Sequence, residues 1–128
     1  MKDSPAVAVA LSHIDAWSHQ DWEKTREMLA PNVRASVGTT QPEFRVVELT
    51  GIDHYMGPKM KAARLIEPGS VQVLSSVGDE RNALVLITLR IGLGPGGAMV
   101  TLARSCLYSI DENRKIKEEL DSFFVVSQ

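Results

Sequence analysis

Two charged residues stand in apolar stretches near the end of the chain. Asp121 lies in Leu120-Asp121-Ser122-Phe123-Phe124-Val125-Val126, and Arg104 lies in Leu102-Ala103-Arg104-Ser105-Cys106-Leu107. Both stretches read as strands, and a turn at Glu112-Asn113 joins them into an antiparallel hairpin. That turn sets Arg104 directly opposite Asp121, where side chains touch across the ladder. Such a pair has a chemistry. The carboxylate can remove a proton next to a carbonyl or orient a water, and the guanidinium can hold a developing oxyanion or a ligand carboxylate. It also has a plain structural reading, a cross-strand ion pair that satisfies two polar groups in a wall. A close guanidinium lowers the proton affinity of a carboxylate and weakens it as a base. Both readings stand at this level.

Other side chains are candidates for a binding wall. Leu102, Tyr108 and Phe123 share the strand face of Arg104 and Asp121 under this pairing. Trp17 ends the apolar stripe of the first helix, with His13 one turn before it. Tyr55 lies on the third helix beside His54. An aromatic at helical spacing is as well explained by the core, and a buried tyrosine hydroxyl needs a partner. The three histidines, His13, His19 and His54, lack metal-ligand spacing, so no metal and no cofactor is expected. Cys106 is the single cysteine; it excludes an intramolecular disulfide and reads as a small buried hydrophobe. The glycine-rich stretch 92–97 precedes a strand rather than a helix N-terminus, so it is a hairpin turn and not a phosphate loop.

The elements that must position these residues follow from pattern and punctuation. Ser4-Pro5 marks a helix start, and Val7, Leu11, Ile14 and Trp17 recur at helical spacing, predicting a helix over 5–19. Asp21 caps a second helix over 22–29, ended by Pro31. Strands are expected at 33–37 and 44–49, around a loop at 38–42. Thr50 caps a third helix over 51–65, which Pro58 kinks or splits. Four long strands follow at 71–76, 83–91, 99–110 and 115–126, separated by turn compositions. Helices followed by a run of strands predict an α+β layer fold, with helices covering one face of a curved antiparallel sheet.

Length and charge bound the function. The 128 residues fit one domain, 1–128, with a single core. The net charge of −2 with no run of one sign argues against a nucleic-acid partner or an anionic membrane surface. The apolar run 6–11 is too short to span a bilayer, so a cytoplasmic location is the expectation.

The order of several short matches gives a family resemblance. These are Ala16-Trp17 ahead of Asp21, Leu29-Ala30-Pro31-Asn32-Val33, Leu49-Thr50-Gly51-Ile52, and Ile110 to Ile116 followed by Leu120-Asp121. In this order and spacing the chain resembles the NTF2-like superfamily, and within it the SnoaL-like proteins. The resemblance implies a cone: a bent sheet wrapped around three helices of the N-terminal half, the cystatin-like roll, with a pocket open at one end. It also implies an acidic residue on the last strand as general acid/base, and Asp121 falls there. SnoaL-like cyclases carry a histidine on the neighbouring strand, where this chain has Arg104-Ser105-Cys106-Leu107. The first helix has no tyrosine of the isomerase kind.

In such a fold one sheet face holds helices and pocket, and the other often packs two sheets into a homodimer. The pocket face is expected to carry Leu102, Arg104, Cys106, Tyr108, Glu119, Asp121 and Phe123, joined by Leu84, Leu86, Thr88 and Arg90. The opposite face is expected to carry Val85, Ile87, Leu89, Ala103, Ser105, Leu107, Leu120 and Phe124. Two functions fit. One is an acid/base enzyme, isomerase, cyclase or hydratase-like, on a hydrophobic carbonyl compound, with Asp121 as base and Arg104 as anion stabiliser. The other is a non-catalytic ligand-binding or dimerisation module.

Overall fold

The structure is a computed structural model that describes residues 4–39, 45–93 and 95–127. The expected loop residues 40–42, the strand start at Phe44, Gly94 of the glycine-rich turn and the Phe124 side chain lie outside the described residues. Among the described residues three α-helices, α1 Pro5–Ser18, α2 Trp22–Glu27 and α3 Ile52–Ala63, accompany six strands. The strands are β1 Leu29–Thr39, β2 Arg45–Thr50, β3 Gln72–Gly78, β4 Asn82–Ile91, β5 Val100–Ile110 and β6 Ile116–Ser127. They form one curved sheet in the order β2-β1-β6-β5-β4-β3. Every pairing is antiparallel except β1 with β6, which is parallel. The sheet is therefore mixed where a wholly antiparallel one was expected. Among the described residues no helix is long and apolar enough to cross a membrane.

Helix α1 begins as its sequence dictates. The Ser4 side chain accepts from the Val7 N–H, and Pro5 sits where no amide donor is required. Its buried side is Ala6, Val7, Ala10, His13, Ile14, Ala16 and Trp17. This stripe lies on β4, β3 and β5, with α3 over β1 and β2. The β4 residues Ala83, Val85, Ile87, Leu89 and Ile91 alternate into the core beneath it. Each fully buried Val or Ile contributes roughly 1.5–3 kcal/mol.

Three local expectations shift. Strand β1 starts at Leu29, earlier than expected, and runs through Pro31; its register with β6 jumps between Leu29 and Arg34, so the proline occupies a stretch without ladder partners. Helix α3 is capped by Gly51 at φ 88° rather than by Thr50. Pro58 lies inside α3 without dividing it.

The two hairpins also correct the expected registers. Between β5 and β6, Arg104 pairs with Phe123 and Cys106 with Asp121, two residues away from the predicted alignment. The cause is the connection. The Asp111 carboxylate accepts from the Asn113 and Lys115 amides, Arg114 adopts φ 62°, and a bulge lies between Ser109 and Ile110. A two-residue slip preserves the faces, so Arg104 and Asp121 remain on one side. Between β4 and β5 the alignment is an odd step from the expected one: Ile87 pairs with Arg104 and Val85 with Cys106. That reverses β4. Val85, Ile87 and Leu89 face the helices, whereas Leu84 and Leu86 are exposed on the outer face.

Candidate active site

The inner face of β6 presents Glu119, Asp121 and Phe123 beneath α3, beside Ala35 and Val37 of β1 and Arg104, Cys106 and Tyr108 of β5. Glu119 and Asp121 are 2 % and 1 % exposed. Two carboxyls at such depth require partners. Arg104 reaches diagonally from its Phe123 pairing: its Nη2 donates to Asp121 Oδ2 at 2.7 Å and approaches Glu119 Oε2 at 3.5 Å. The Tyr55 hydroxyl, from α3, donates to Glu119 Oε1. Lys59, one turn further along α3, holds its Nζ 3.6 Å from Glu119 Oε2 with its side chain 9 % exposed. Its ammonium lies over the Trp17 and Tyr55 rings, at 4.9 and 5.0 Å from their centroids, and the Arg104 guanidinium lies 5.7 Å from the Trp17 centroid.

These groups line a cavity of about 160 Å³. Trp17, Tyr55, Lys59, Arg104, Glu119 and Asp121 form its polar end, and its apolar wall includes Ala35, Val37, Leu49, Ile66 and Phe123. Four buried polar atoms of this wall have no hydrogen-bond partner among the described residues: Trp17 Nε1, Lys59 Nζ, Arg104 Nε and Asp121 Oδ1. Three are donors and one is a carboxyl oxygen.

The two carboxyls part in proton affinity. Burial pushes Asp121 up to about 7; Arg104 opposes the rise, while the charge of Glu119 and a hydrogen bond with it reinforce it. Burial also works against ionised Glu119, yet Lys59, the hydrogen bond with Asp121 and Arg104 hold it well below the usual carboxylate range. The pair thus behaves as a dyad sharing one proton, with Glu119 the anion. Burial raises the Tyr55 and Tyr108 hydroxyls, with the Glu119 charge next in effect, and both stay neutral.

Of the sequence candidates, the structure brings Asp121, Arg104, Trp17, Tyr55 and Phe123 together at the cavity. It does not bring His13, Leu102 or Tyr108 there. Leu102 packs in the core, and His13 and Tyr108 are fully buried and bonded to each other at 3.1 Å. His54 is exposed and bonded to the Thr50 carbonyl. The residues that sequence reasoning missed are Lys59 and, as a site residue, Glu119. The signal for Lys59 was its place one turn after Tyr55, on the buried stripe of α3. Among the described residues no group of three or more His, Cys, Asp or Glu side chains is placed to hold a metal ion.

No family model matches the sequence, and no curated protein matches it. Solved structures match it over nearly its whole length. A protein from Kribbella flavida DSM 17836, described as a candidate ketosteroid isomerase, shares 18% identity at TM-score 0.73 over 97% of this chain and 81% of its own. An NTF2-like protein of unknown function from Cytophaga hutchinsonii ATCC 33406 shares 14% identity at TM-score 0.69 over 97% and 93%. A candidate SnoaL-like polyketide cyclase from Shewanella denitrificans OS-217 shares 12% identity at TM-score 0.70 over 93% and 90%. Likeness at such identity speaks for architecture and leaves the chemistry to the site. This chain has the NTF2-like fold found in ketosteroid isomerase-like and SnoaL-like structures.

Proposed function

We propose that the protein is an acid/base enzyme that moves a proton next to the carbonyl of a small, largely apolar compound. The observation that carries this reading is Asp121: a buried carboxyl in the cavity wall, with a proton affinity near neutrality and one oxygen that no donor holds. In the reaction Asp121 takes the proton from the carbon beside the carbonyl. The C–H electron pair moves into the new C=C bond and the carbonyl π pair onto oxygen. Trp17 Nε1 and Lys59 Nζ, which have no hydrogen-bond acceptor among the described residues although Lys59 is ion-paired with Glu119, receive that oxygen. Arg104 takes a different role from the one expected, because its Nη2 is engaged by Asp121 and Glu119; it holds the base in place. Charge supports the step. With Asp121 ionised, the charges of Lys59, Arg104, Glu119 and Asp121 cancel, and once Asp121 is protonated the excess positive charge matches the enolate. In a β,γ-unsaturated ketone, return of the proton to the far end of the dienolate re-forms the carbonyl and completes an isomerisation; attack of the enolate carbon on a second carbonyl re-forms the first, and the new alkoxide takes the proton back from Asp121 to complete a cyclisation.

The test is hydrogen–deuterium exchange at carbon, followed by proton NMR in D2O with a panel of apolar ketones and 1,3-dicarbonyl compounds. Wild-type protein should catalyse exchange of at least one compound, and Asp121→Asn should lower the rate by about 10²–10⁴-fold. Equal rates in both proteins would refute the assignment. The Arg104–Asp121 ion pair favours the second reading, a binding module; a compound that binds without catalysed exchange in either protein would establish it.

The exposed sheet face supports a further proposal, that two copies pair through it. Leu84, Leu86, Leu107 and Leu120 are 44%, 37%, 39% and 53% exposed there, around Ser105 and Ser122, which bond to each other.

A further inference from the structure

We infer that Tyr108, His13 and Tyr55 form a one-way hydrogen-bond chain that holds Glu119 as the anion and leaves Asp121 as the proton carrier of the site; its use in catalysis rests on the acid/base reading above. The chain crosses four elements. The Tyr108 hydroxyl of β5 lies 3.1 Å from His13 Nδ1 of α1, His13 Nε2 lies 3.3 Å from the Tyr55 hydroxyl of α3, and Tyr55 donates to Glu119 of β6. All four side chains are buried.

The proton positions follow from valence. An ionised carboxylate only accepts, so the single phenolic proton of Tyr55 is committed to Glu119. The Tyr55 oxygen must then accept from His13, which places a proton on Nε2. Burial, with Lys59 next in effect, lowers the His13 pKa to about 3, so the ring is neutral and carries one proton only. Nδ1 is therefore bare and accepts from the Tyr108 hydroxyl. Every link donates towards Glu119, and hydrogen bonds aligned in one direction polarise one another and stabilise the terminal charge.

The chain ends at Tyr108, which is 0% exposed, so it orders protons instead of exporting them. What it controls is the neighbour. The titratable and charged groups facing the two carboxyls are His13 from α1, Tyr55 and Lys59 from α3, and Arg104, Cys106 and Tyr108 from β5. Of these, Tyr55 and Tyr108 feel the Glu119 charge more than that of Asp121, and only Glu119 is hydrogen-bonded to the chain. An anion fixed at Glu119 disfavours a second anion beside it. Tyr55, His13 and Tyr108 are thus positioning residues for the base.

The test reads protons and needs no substrate, so it stands apart from the exchange assay. In wild-type protein, long-range proton–nitrogen NMR should show His13 as the neutral Nε2–H tautomer across pH 5–8. Carbon-13 NMR of labelled Asp and Glu carboxyls should show Asp121 titrating near neutrality and Glu119 remaining ionised. In Tyr55→Phe, Glu119 should titrate higher and Asp121 lower, by about one pH unit or more. Tyr108→Phe should move both in the same directions by less. An Nδ1–H tautomer at His13 in wild-type protein overturns the inference even if a variant fails to fold. So does unchanged Asp121 titration in a folded Tyr55→Phe. Failure of Asp121→Asn to affect exchange would remove the catalytic reading and leave the chain intact.

Discussion

Replacing Asp121 with Asn should change how stability depends on pH more than it changes stability at any one pH. The Asp121 pKa is higher in the folded chain than in the unfolded one, about 7 against 3.8. Between those values the folded chain holds one more proton at this position. The contribution of Asp121 is therefore fully present below about pH 4 and is lost as pH rises through 7. Asn does not titrate, so the variant gains on the wild type by about 1.4 kcal/mol per pH unit across this window, on the order of 4 kcal/mol in all. The side chain is 1% exposed, so solvent screening takes little from the figure. His13 acts with the opposite sign. Its pKa is lowered in the folded chain to about 3 from 6.5, so its contribution is full above pH 6.5 and is lost as pH falls towards 3. From about pH 4 to 6.5 the Asp121 and His13 slopes oppose each other in the wild type; Asp121→Asn removes the first and leaves the His13 slope, joined at the acid end by that of Glu119, whose proton affinity is also lowered on folding. Urea unfolding at half-unit steps from pH 4.5 to 8 measures both curves. Any fixed cost of placing an amide beside Arg104 shifts the variant curve without changing its slope. Parallel curves for the two proteins would show that Asp121 is not held protonated by its surroundings, and the dyad would be wrong.

Two further substitutions test the frame and the outer face. A Cβ on Gly78 would collide with the Asn82 carbonyl oxygen and lie 2.9 Å from Ala83 Cα and Val7 Cγ2, so Gly78→Ala should force β3 away from β4 and α1 and destabilise by about 1–3 kcal/mol, read as a lower urea midpoint; an unchanged midpoint would mean the close approach is absent. Leu120→Glu places a charge on the exposed sheet face and should convert a dimer to a folded monomer in light scattering coupled to size exclusion; a wild-type monomer at micromolar concentration would end the pairing proposal.

The local signals in the sequence were legible because they act over a few residues. Ser4 and Pro5 start α1, and the alternation through Glu119, Asp121 and Phe123 sorts β6 into faces. Arg104 and Asp121 were placed on one face through a register two residues off, because a bulge and the Asp111 turn moved the ladder by an even step. The same reasoning failed for β4, where composition did not fix whether the connection 92–99 was odd or even, and an odd step exchanges the faces. The parallel pairing of β1 with β6 joins distant parts of the chain and leaves no local trace. Depth was also illegible. Helical period puts His13 beside Trp17, but only the third dimension puts it behind Tyr55. Lys59 follows Tyr55 by one turn in the sequence, but its partner is fixed only when α3 is laid over Glu119.

The plain structural reading of Arg104 and Asp121 meets a physical difficulty in the completed site. A buried ion pair kept for stability alone should have its remaining donors and acceptors satisfied by the protein, because each buried polar atom left without a partner costs about 1–3 kcal/mol, and a charged one more. Here Arg104 Nε and Asp121 Oδ1, one atom from each partner, lack one among the described residues, and so do Lys59 Nζ and Trp17 Nε1 of the same cavity wall. A hydrophobic replacement would serve a purely structural wall better. The orphaned atoms gather where α1, α3, β5 and β6 meet at the cavity, while the Tyr108–His13–Tyr55–Glu119 chain behind them is fully bonded. Satisfied depth beneath an unsatisfied surface is the arrangement expected of a wall built to meet a polar group of a ligand.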